Sequence, residues 1–330
     1  MSKSLFILST PSQAFFVSLA ANLVPKDSIL ILTVKKQEEE KEMLKYLSQL
    51  TWQKIHIWYI PSGNSNSEYL KAISFKIKLI QLKLRYRKIQ NVFFGSYLNL
   101  YHLSIVAEFE KSNNLCLLYD GLQIISVAKA RNAGNFELIN YPLLHRLLGF
   151  KKPTLESIKY ITPVPLYEIG EMDSYVVMKR ESELKKSKEI NDQLIYFIGQ
   201  PLPNIGITSK EFYIKSINQL SKMFPEKKLI YIPHPREDSE IIEIIGDQFE
   251  VIKFKDIFEK EYIMAKVIPG KVCSFYSSVL LNLLYLNSES EVIAINIPES
   301  EIKYKQLRGH INVIYKYFNN IKSDKFSVIK

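Results

Sequence analysis

A chain of 330 residues with 47% hydrophobic content is long enough to bury two cores, so two domains are the first expectation. Its formal charge is +10, from 44 Lys and Arg against 34 Asp and Glu, and the excess is not spread evenly. Only two cysteines occur, Cys116 and Cys273, both inside apolar runs, which argues against a disulfide framework or a zinc site and points to the cytoplasm.

The opening "MSKSLFILSTPSQ" reads as a strand over residues 5–8 followed by a helix start. Thr10 is the expected N-cap, Pro11 the first helical residue and Gln13 the partner closing a capping box. Because "STPSQ" interrupts the apolar run after four residues, a signal peptide is not expected. No run of about 18 apolar residues follows, so a membrane-spanning helix is not expected either.

Further strands are expected at 28–33, 54–59, 91–94 and 116–119, with helices between them. One of these helices, within "YLKAISFKIKLIQLKLRYRKIQ", carries Lys71, Lys76, Lys78, Lys83, Arg85, Arg87 and Lys88, with Ile73, Ile77, Ile80 and Leu84 at helical spacing. Two readings stand side by side: a basic amphipathic helix lying on an anionic membrane, and a docked surface helix with a solvated lysine face. Nucleic acid is not an expected partner, since no RNA- or DNA-binding signature occurs.

Around 179–192, "KRESELKKSKEIND" loses almost all apolar residues and reads as a connection. The alternation then resumes. Strands are expected at 194–198, 228–232, 250–253, 272–275 and 291–295, and helices near 210–223, 238–245 and 278–286. The pattern is that of an α/β chain made of two doubly wound halves with parallel sheets and a cleft between them.

In such sheets ligands bind beyond the carboxyl ends of the strands, and four stretches there carry candidate chemistry. In "CLLYDGLQ", Asp120 follows a strand and precedes Gly121; it is a candidate proton acceptor, and an ordinary Asp-Gly turn explains the same residues. In "YIPHPRE", Pro233 and Pro235 hold His234 on a stiff extended backbone, where an imidazole can meet a phosphate or protonate a leaving group. In "CSFYSSVLLNLL", Ser277 and Ser278 open an apolar helix, either as caps or as a phosphate site. In "YFIGQPLPNIG", Gly199, Gln200 and Pro201 form a turn whose Gln200 amide can face a ligand.

Other chemistries find no support. There is no Walker loop, no G-x-G-x-x-G and no G-x-S-x-G elbow. The five histidines lack metal-ligand spacing, and His102 and His145 read as helix or surface residues.

As a set, "STPSQ", the D-G pair, "GQPL", the H-P pair and the late S-S pair resemble the bacterial sialyltransferases. They are most similar to glycosyltransferase family 52, the lipooligosaccharide sialyltransferases, with the bacterial polysialyltransferases as relatives. The resemblance runs over roughly residues 5 to 290. It implies a GT-B architecture of two Rossmann-like domains facing a cleft: an acceptor-side domain over 1–178, a linker over 179–192, and a CMP-sugar-binding domain with a terminal helix over 193–330.

The resemblance also implies roles. Asp120 matches the second acidic position of the family's base motif, while Tyr119 stands where the first acidic residue would be. His234, next to Pro235, would contact the CMP phosphate, and so would Ser277 and Ser278. Gly199, Gln200 and Arg236 fall on the donor side, with Arg236 either gripping the sugar carboxylate or pairing with Glu237; Thr10, Gln13 and Gly121 line a loop near acceptor or donor. The implied donor is CMP-sialic acid, with no cofactor and no metal, and the implied acceptor is a galactose-terminated, lipid-linked glycan. Transfer with inversion is expected. Another CMP-linked nonulosonic acid, Kdo, or an inactive binding relative are the alternatives. Work on a lipid-linked glycan would bring the protein to the inner face of the cytoplasmic membrane, through the basic helix and a basic C-terminal tail (Lys316, Lys322, Lys325, Lys330).

Overall fold

The structure, a computed structural model, describes residues 3–61, 66–109, 114–136, 139–178, 188–286 and 288–329. The chain divides into two compact units, Met1–Glu181 and Ser182–Lys330.

The first unit runs β1 (Lys3–Leu8), α1 (Pro11–Leu19), β2 (Ile29–Val34), α2 (Gln37–Leu47), β3 (Lys54–Tyr59), α3 (Asn66–Arg85), β4 (Ile89–Phe94), α4 (Leu100–Phe109), β5 (Asn114–Leu118), α5 (Gln123–Asn132), α6 (Leu143–Leu147), β6 (Lys159–Thr162) and β7 (Ser174–Val177). Its sheet is parallel throughout, in the order β3-β2-β1-β4-β5-β6-β7. Leu5 to Leu8 and Ile29 to Leu32 are fully buried, as strands covered on both faces must be, which is why they read as unbroken apolar runs. The chain winds outward from β1 to β3 and then returns to the other side of β1 as β4. That reversal makes the switch point where the carboxyl ends of β1 and β4 part.

The second unit repeats the plan with β8 (Glu189–Ile198), α7 (Lys210–Met223), β9 (Lys228–Ile232), α8 (Ser239–Gly246), β10 (Glu250–Val251), α9 (Phe258–Met264), β11 (Val267–Ser274), α10 (Ser278–Tyr285), β12 (Glu291–Ile295), α11 (Lys305–Asn319) and β13 (Phe326–Ile329). The order β10-β9-β8-β11-β12-β13 is again all parallel, with its switch point between β8 and β11. Pro269 sits inside β11, a central strand. It is tolerated because the ladder with β8 shifts register between Pro269 and Lys271.

Several expectations need correction. Residues 179–187 of the expected connection lie outside the described residues, but Glu189 to Asp192 are strand, so β8 starts five residues before the expected 194. This stretch, polar apart from Ile190, pairs with β11 through the backbone, which apolar patterning does not report. Strands β6, β7 and β13 were not expected. β6 and β7 are four residues each, and a buried ion pair anchors them: Arg131 of α5 donates from Nε and Nη2 to both Asp173 oxygens at 2.7 Å, while Tyr160 donates to Asp173 at 3.2 Å.

The expected basic C-terminal tail is instead a helix, a turn and an edge strand. Lys316 lies on α11, Lys325 pairs with Glu289 at 2.6 Å, and Lys330 lies outside the described residues. His102 and His145 are both on helices and both buried, not on the surface. The two cysteines are buried and free; burial pushes the Cys116 thiol up to about 11 and the Cys273 thiol up as well. Among the described residues no helix is long and apolar enough to cross a membrane.

The basic helix α3 departs most from a docked amphipathic helix. Its packed face is Ala72, Phe75, Leu79 and Leu82, whereas Ile73, Ile77, Ile80 and Leu84 are exposed.

Candidate functional site

Thr10 caps α1, its hydroxyl accepting from the Gln13 amide at 3.2 Å. The other half of the expected capping box does not form. Gln13 Oε1 accepts from the backbone of Ser9, at 2.8 Å, and its Nε2 turns inward to donate to the Gly95 carbonyl at 2.9 Å and to Asp120 Oδ1 at 2.7 Å. One buried amide therefore joins the carboxyl ends of β1, β4 and β5, at the switch point. Gly95 is required by this approach: a Cβ there would lie 2.2 Å from Gln13 Oε1, and Gln13 is held too firmly to yield.

Asp120 is the group so held. Burial raises its carboxyl above the ordinary range, and hydrogen bonds from Gln13 and Ser96 pull it the other way. Gly121 follows with φ of 64°, turning the chain sharply into α5. Tyr119, at the position where a second carboxylate was looked for, points into the core, edge-on to Phe16 with centroids 5.0 Å apart. Strand alternation separates the two: Tyr119 fills the core and Asp120 faces outward from the strand end.

Behind Asp120 stand Ser96, which the sequence does not single out, and His102, expected only as a helix or surface residue. Ser96, after β4, donates its backbone N–H to His102 Nδ1 at 3.1 Å, and His102 Nε2 lies 2.9 Å from the Thr33 hydroxyl at the end of β2. Accepting on Nδ1 leaves the proton on Nε2, which donates to Thr33. Burial lowers His102 to about 3, so it stays neutral. The signal was present in "GSYLNLYH", a glycine-serine pair after a strand with a histidine one turn into the next helix, but the contacts cross between strands.

In the second unit, His234 follows β9. Its Nδ1 accepts the Arg236 backbone N–H at 3.1 Å, so the neutral ring carries its proton on Nε2. Burial, with a smaller contribution from Arg236, lowers the imidazole to about 4. Glu237 does not pair with Arg236. Its carboxylate accepts from Tyr231, from Tyr213 at 3.0 Å and from the His234 backbone N–H at 2.5 Å, so it locks the His-Pro turn from beneath. Burial raises the Glu237 carboxyl against the pull of those donors. Gly199 answers the same crowding, since a Cβ there would meet Glu237 Oε2 at 2.3 Å. Pro235 and Arg236 are exposed on the outside of the turn.

Gln200 is tied down as well. Its backbone donates to the Tyr213 hydroxyl at 2.8 Å, its Nε2 to the Tyr276 carbonyl at 3.3 Å, and its Oε1 accepts from Ser274 at 3.3 Å. It thus braces the ends of β8 and β11 together. Ser277 caps α10, accepting from the Val279 amide at 3.3 Å, and Ser278 opens the helix beside it. The chain of contacts from His234 through Glu237, Tyr213 and Gln200 to Tyr276 draws the donor-side candidates into one set at that unit's switch point. Asp120, Gln13 and Gly121 form a separate set in the first unit. Among the described residues no group of three or more His, Cys, Asp or Glu is placed to hold a metal ion.

The fold is shared widely. A protein of Listeria monocytogenes described as a UDP-N-acetylglucosamine 2-epimerase matches over 95% of this chain and 88% of its own, with a TM-score of 0.56 and 11% identity. The UDP-GlcNAc 2-epimerase of Neisseria meningitidis matches over 96% and 90%, at 0.53 and 11%, and S. aureus MnaA over 98% and 89%, at 0.52 and 14%. At these identities the likeness speaks for the fold alone, two Rossmann-like domains of the GT-B class. No curated protein matches the sequence. The model of glycosyltransferase family 52 matches residues 36–298, a span that holds Asp120, His234, Ser277 and Ser278, and the chain belongs to that family.

Proposed function

We propose that this glycosyltransferase moves sialic acid from CMP-sialic acid to a sugar hydroxyl of a cell-surface glycan, with inversion. The observation that carries the reading is the Asp120 carboxyl, buried at a switch point, raised by desolvation and fixed by Gln13. A general base gains from a raised value because its proton affinity then approaches that of the hydroxyl it must activate. Asp120 would take the acceptor proton as the hydroxyl oxygen attacks the anomeric carbon on the face opposite CMP, through an oxocarbenium-like state.

The leaving group is a phosphate whose charge grows as the glycosidic bond breaks. His234 offers a fixed Nε2–H, and α10 offers the positive end of its dipole with the Ser277 and Ser278 hydroxyls at its N-terminus. On this reading these donors stabilise CMP without a divalent ion, so full activity in excess EDTA is expected. Arg236, not engaged by Glu237, is the candidate for the sugar carboxylate, with Gly199, Gln200 and Pro235 shaping the donor side. Thr10, Gln13 and Gly121 sit beside the base.

Acceptor-dependent CMP release from CMP-Neu5Ac tests the proposal, with lactose as a soluble galactoside. Release by the wild type, lost in Asp120→Asn while CMP still binds, supports it; an Asp120→Asn protein that turns over normally removes the base. If CMP-Neu5Ac is not used but CMP-Kdo or a CMP-linked legionaminic or pseudaminic acid is, the same machinery serves another sugar. CMP binding with no transfer from any of them would mark a binding protein.

A further inference from the structure

Helix α3 has two apolar faces, and the first unit packs only one. At 100° per residue, Ala72, Phe75, Leu79 and Leu82 form the buried stripe, while Leu70, Ile73, Ile77, Ile80 and Leu84 form a second stripe on nearly the opposite side. These five range from 43% exposed at Ile73 to 69% at Leu70. The ridge spans about 21 Å along the helix axis. Five consecutive outward apolar positions at helical spacing are a costly arrangement in water, unlike scattered surface leucines.

The charges beside the ridge are ordered in the same way. Lys71, Lys78 and Arg85 recur every seven residues along one flank, and Lys76 and Lys83 stand seven apart on the other. Lys83 pairs with Glu108 at 2.6 Å and Lys76 turns to the Gly149 carbonyl, so the cationic row beside the ridge is that of Lys71, Lys78 and Arg85. An apolar ridge flanked by such a row is the pattern of a helix lying in the plane of a bilayer: the ridge enters the acyl boundary, and the basic stems reach outward to headgroup phosphates.

Two neighbouring features extend the surface. Lys76 Nζ donates to the Gly149 carbonyl at 2.6 Å, which ties α3 to the end of α6, where Leu143 and Leu147 are also exposed beside Arg146. On the other flank a groove of about 350 Å³ runs between α3 and the edge strand β3, lined by His56, Lys78, Gln81 and Arg85. Burial, with Arg85 and Lys54 adding to it, lowers His56, as expected in a groove rich in positive charge. A second copy of this chain would bring the same lysines against its own, whereas phosphodiester headgroups bring opposite charge to the row of Lys71, Lys78 and Arg85.

We propose that the outward face of α3 is a binding surface for an anionic lipid bilayer, with Leu70, Ile73, Ile77, Ile80 and Leu84 entering the interface and Lys71, Lys78 and Arg85 meeting lipid phosphates. The surface lies wholly within the first unit and takes no residue from the C-terminal segment. It stands independently of the transfer reaction.

Flotation of the full chain tests it, with vesicles of phosphatidylcholine alone and of phosphatidylcholine with a quarter phosphatidylglycerol, at 50 and 500 mM salt. Binding to the anionic vesicles at low salt is expected, at least tenfold weaker without phosphatidylglycerol and weakened by salt. Ile73→Ser/Ile77→Ser/Ile80→Ser should lose that binding at least tenfold, and Lys78→Glu/Arg85→Glu likewise. Both variants should keep the wild-type thermal midpoint and CMP release with a soluble galactoside, so failure here is separable from failure of the proposed chemistry. Equal binding to both vesicle types, or ridge variants that float like the wild type, would overturn the proposal. So would a dimer that the ridge variants dissociate in the absence of vesicle binding, which would give the face to a second copy.

Discussion

The two strand-end sites solve opposite problems with the same topology. On the proposed chemistry the first unit needs a carboxylate as an acceptor and the second a donor. In the first, side chains from neighbouring strands hold the carboxylate, Gln13 after β1 donating to Asp120 beyond β5 with Ser96 after β4 beside it. In the second, the turn around His234 is held mainly by its own sequence neighbours, with Glu237 taking the His234 backbone N–H and Arg236 supplying the N–H that fixes the ring. A base must keep its lone pair and gains from desolvation. A leaving-group contact must keep its proton and gains from a fixed tautomer.

Breaking each side should give unequal losses. Asp120→Asn removes the one carboxylate among the described residues at that switch point that is placed to take a proton and should lower kcat by about 10³-fold, with CMP affinity within about twofold; single-turnover transfer and CMP titration check both. His234→Ala removes one donor among several and should cost about 10²-fold in kcat/KM for the CMP-sugar, with the acceptor KM unchanged. Unchanged donor kinetics would remove His234 from the phosphate site.

Gln13→Leu sharpens the comparison. The Gln13 hydrogen bond lowers Asp120, so its loss raises the carboxyl further, and the acid limb of kcat/KM should move to higher pH. Activity lost on the acid side of the profile should then be recovered as the pH rises; a uniform loss at all pH values would mean Gln13 acts on packing alone. Glu237→Gln should have the smallest effect, about a three- to tenfold rise in donor KM, because the turn keeps its prolines.

His234 adds a stability test. Its folded value, about 4, lies below the ordinary 6.5, so between these limits the unfolded chain binds a proton that the folded chain does not. The contribution is therefore fully present above pH 6.5 and is lost as pH falls toward 4. His234→Asn should flatten that part of the acid slope in urea melts, and a bound phosphate ligand should oppose it by raising the imidazole.

The strands of both sheets were largely legible because parallel strands covered on both faces must be apolar runs. The first three strands and β9 appear within a residue or two of their expected places. β8 was read short because its first residues, Glu189, Asn191 and Asp192 around Ile190, are mostly polar and join the sheet through backbone pairing with β11. The site was legible as separate short words, each after a strand. What joins the words was not. Gln13 reaches Asp120 across 107 positions of sequence, and Ser96 reaches His102 only because α4 folds back over β4.

Helix α3 shows the same limit from the other side. Its period and charge were plain in the sequence, yet the isoleucines that look like a docking face point to water, and Phe75 and Leu79 dock instead. A helical period says that a face exists, but not which of two apolar faces the sheet will cover.

By itself, the sequence determined the alternating parallel architecture, the helix cap at Thr10, the helix opened by Ser277 and Ser278, and the strand-end residues able to do chemistry, because local backbone preferences and hydrophobic period are written in neighbouring residues. Only the tertiary structure decided which of these residues touch, which way each imidazole carries its proton, that Glu237 serves His234 rather than Arg236, and which face of α3 stays exposed. Those outcomes depend on burial and on hydrogen bonds between residues distant in sequence, which come into being when the sheets assemble.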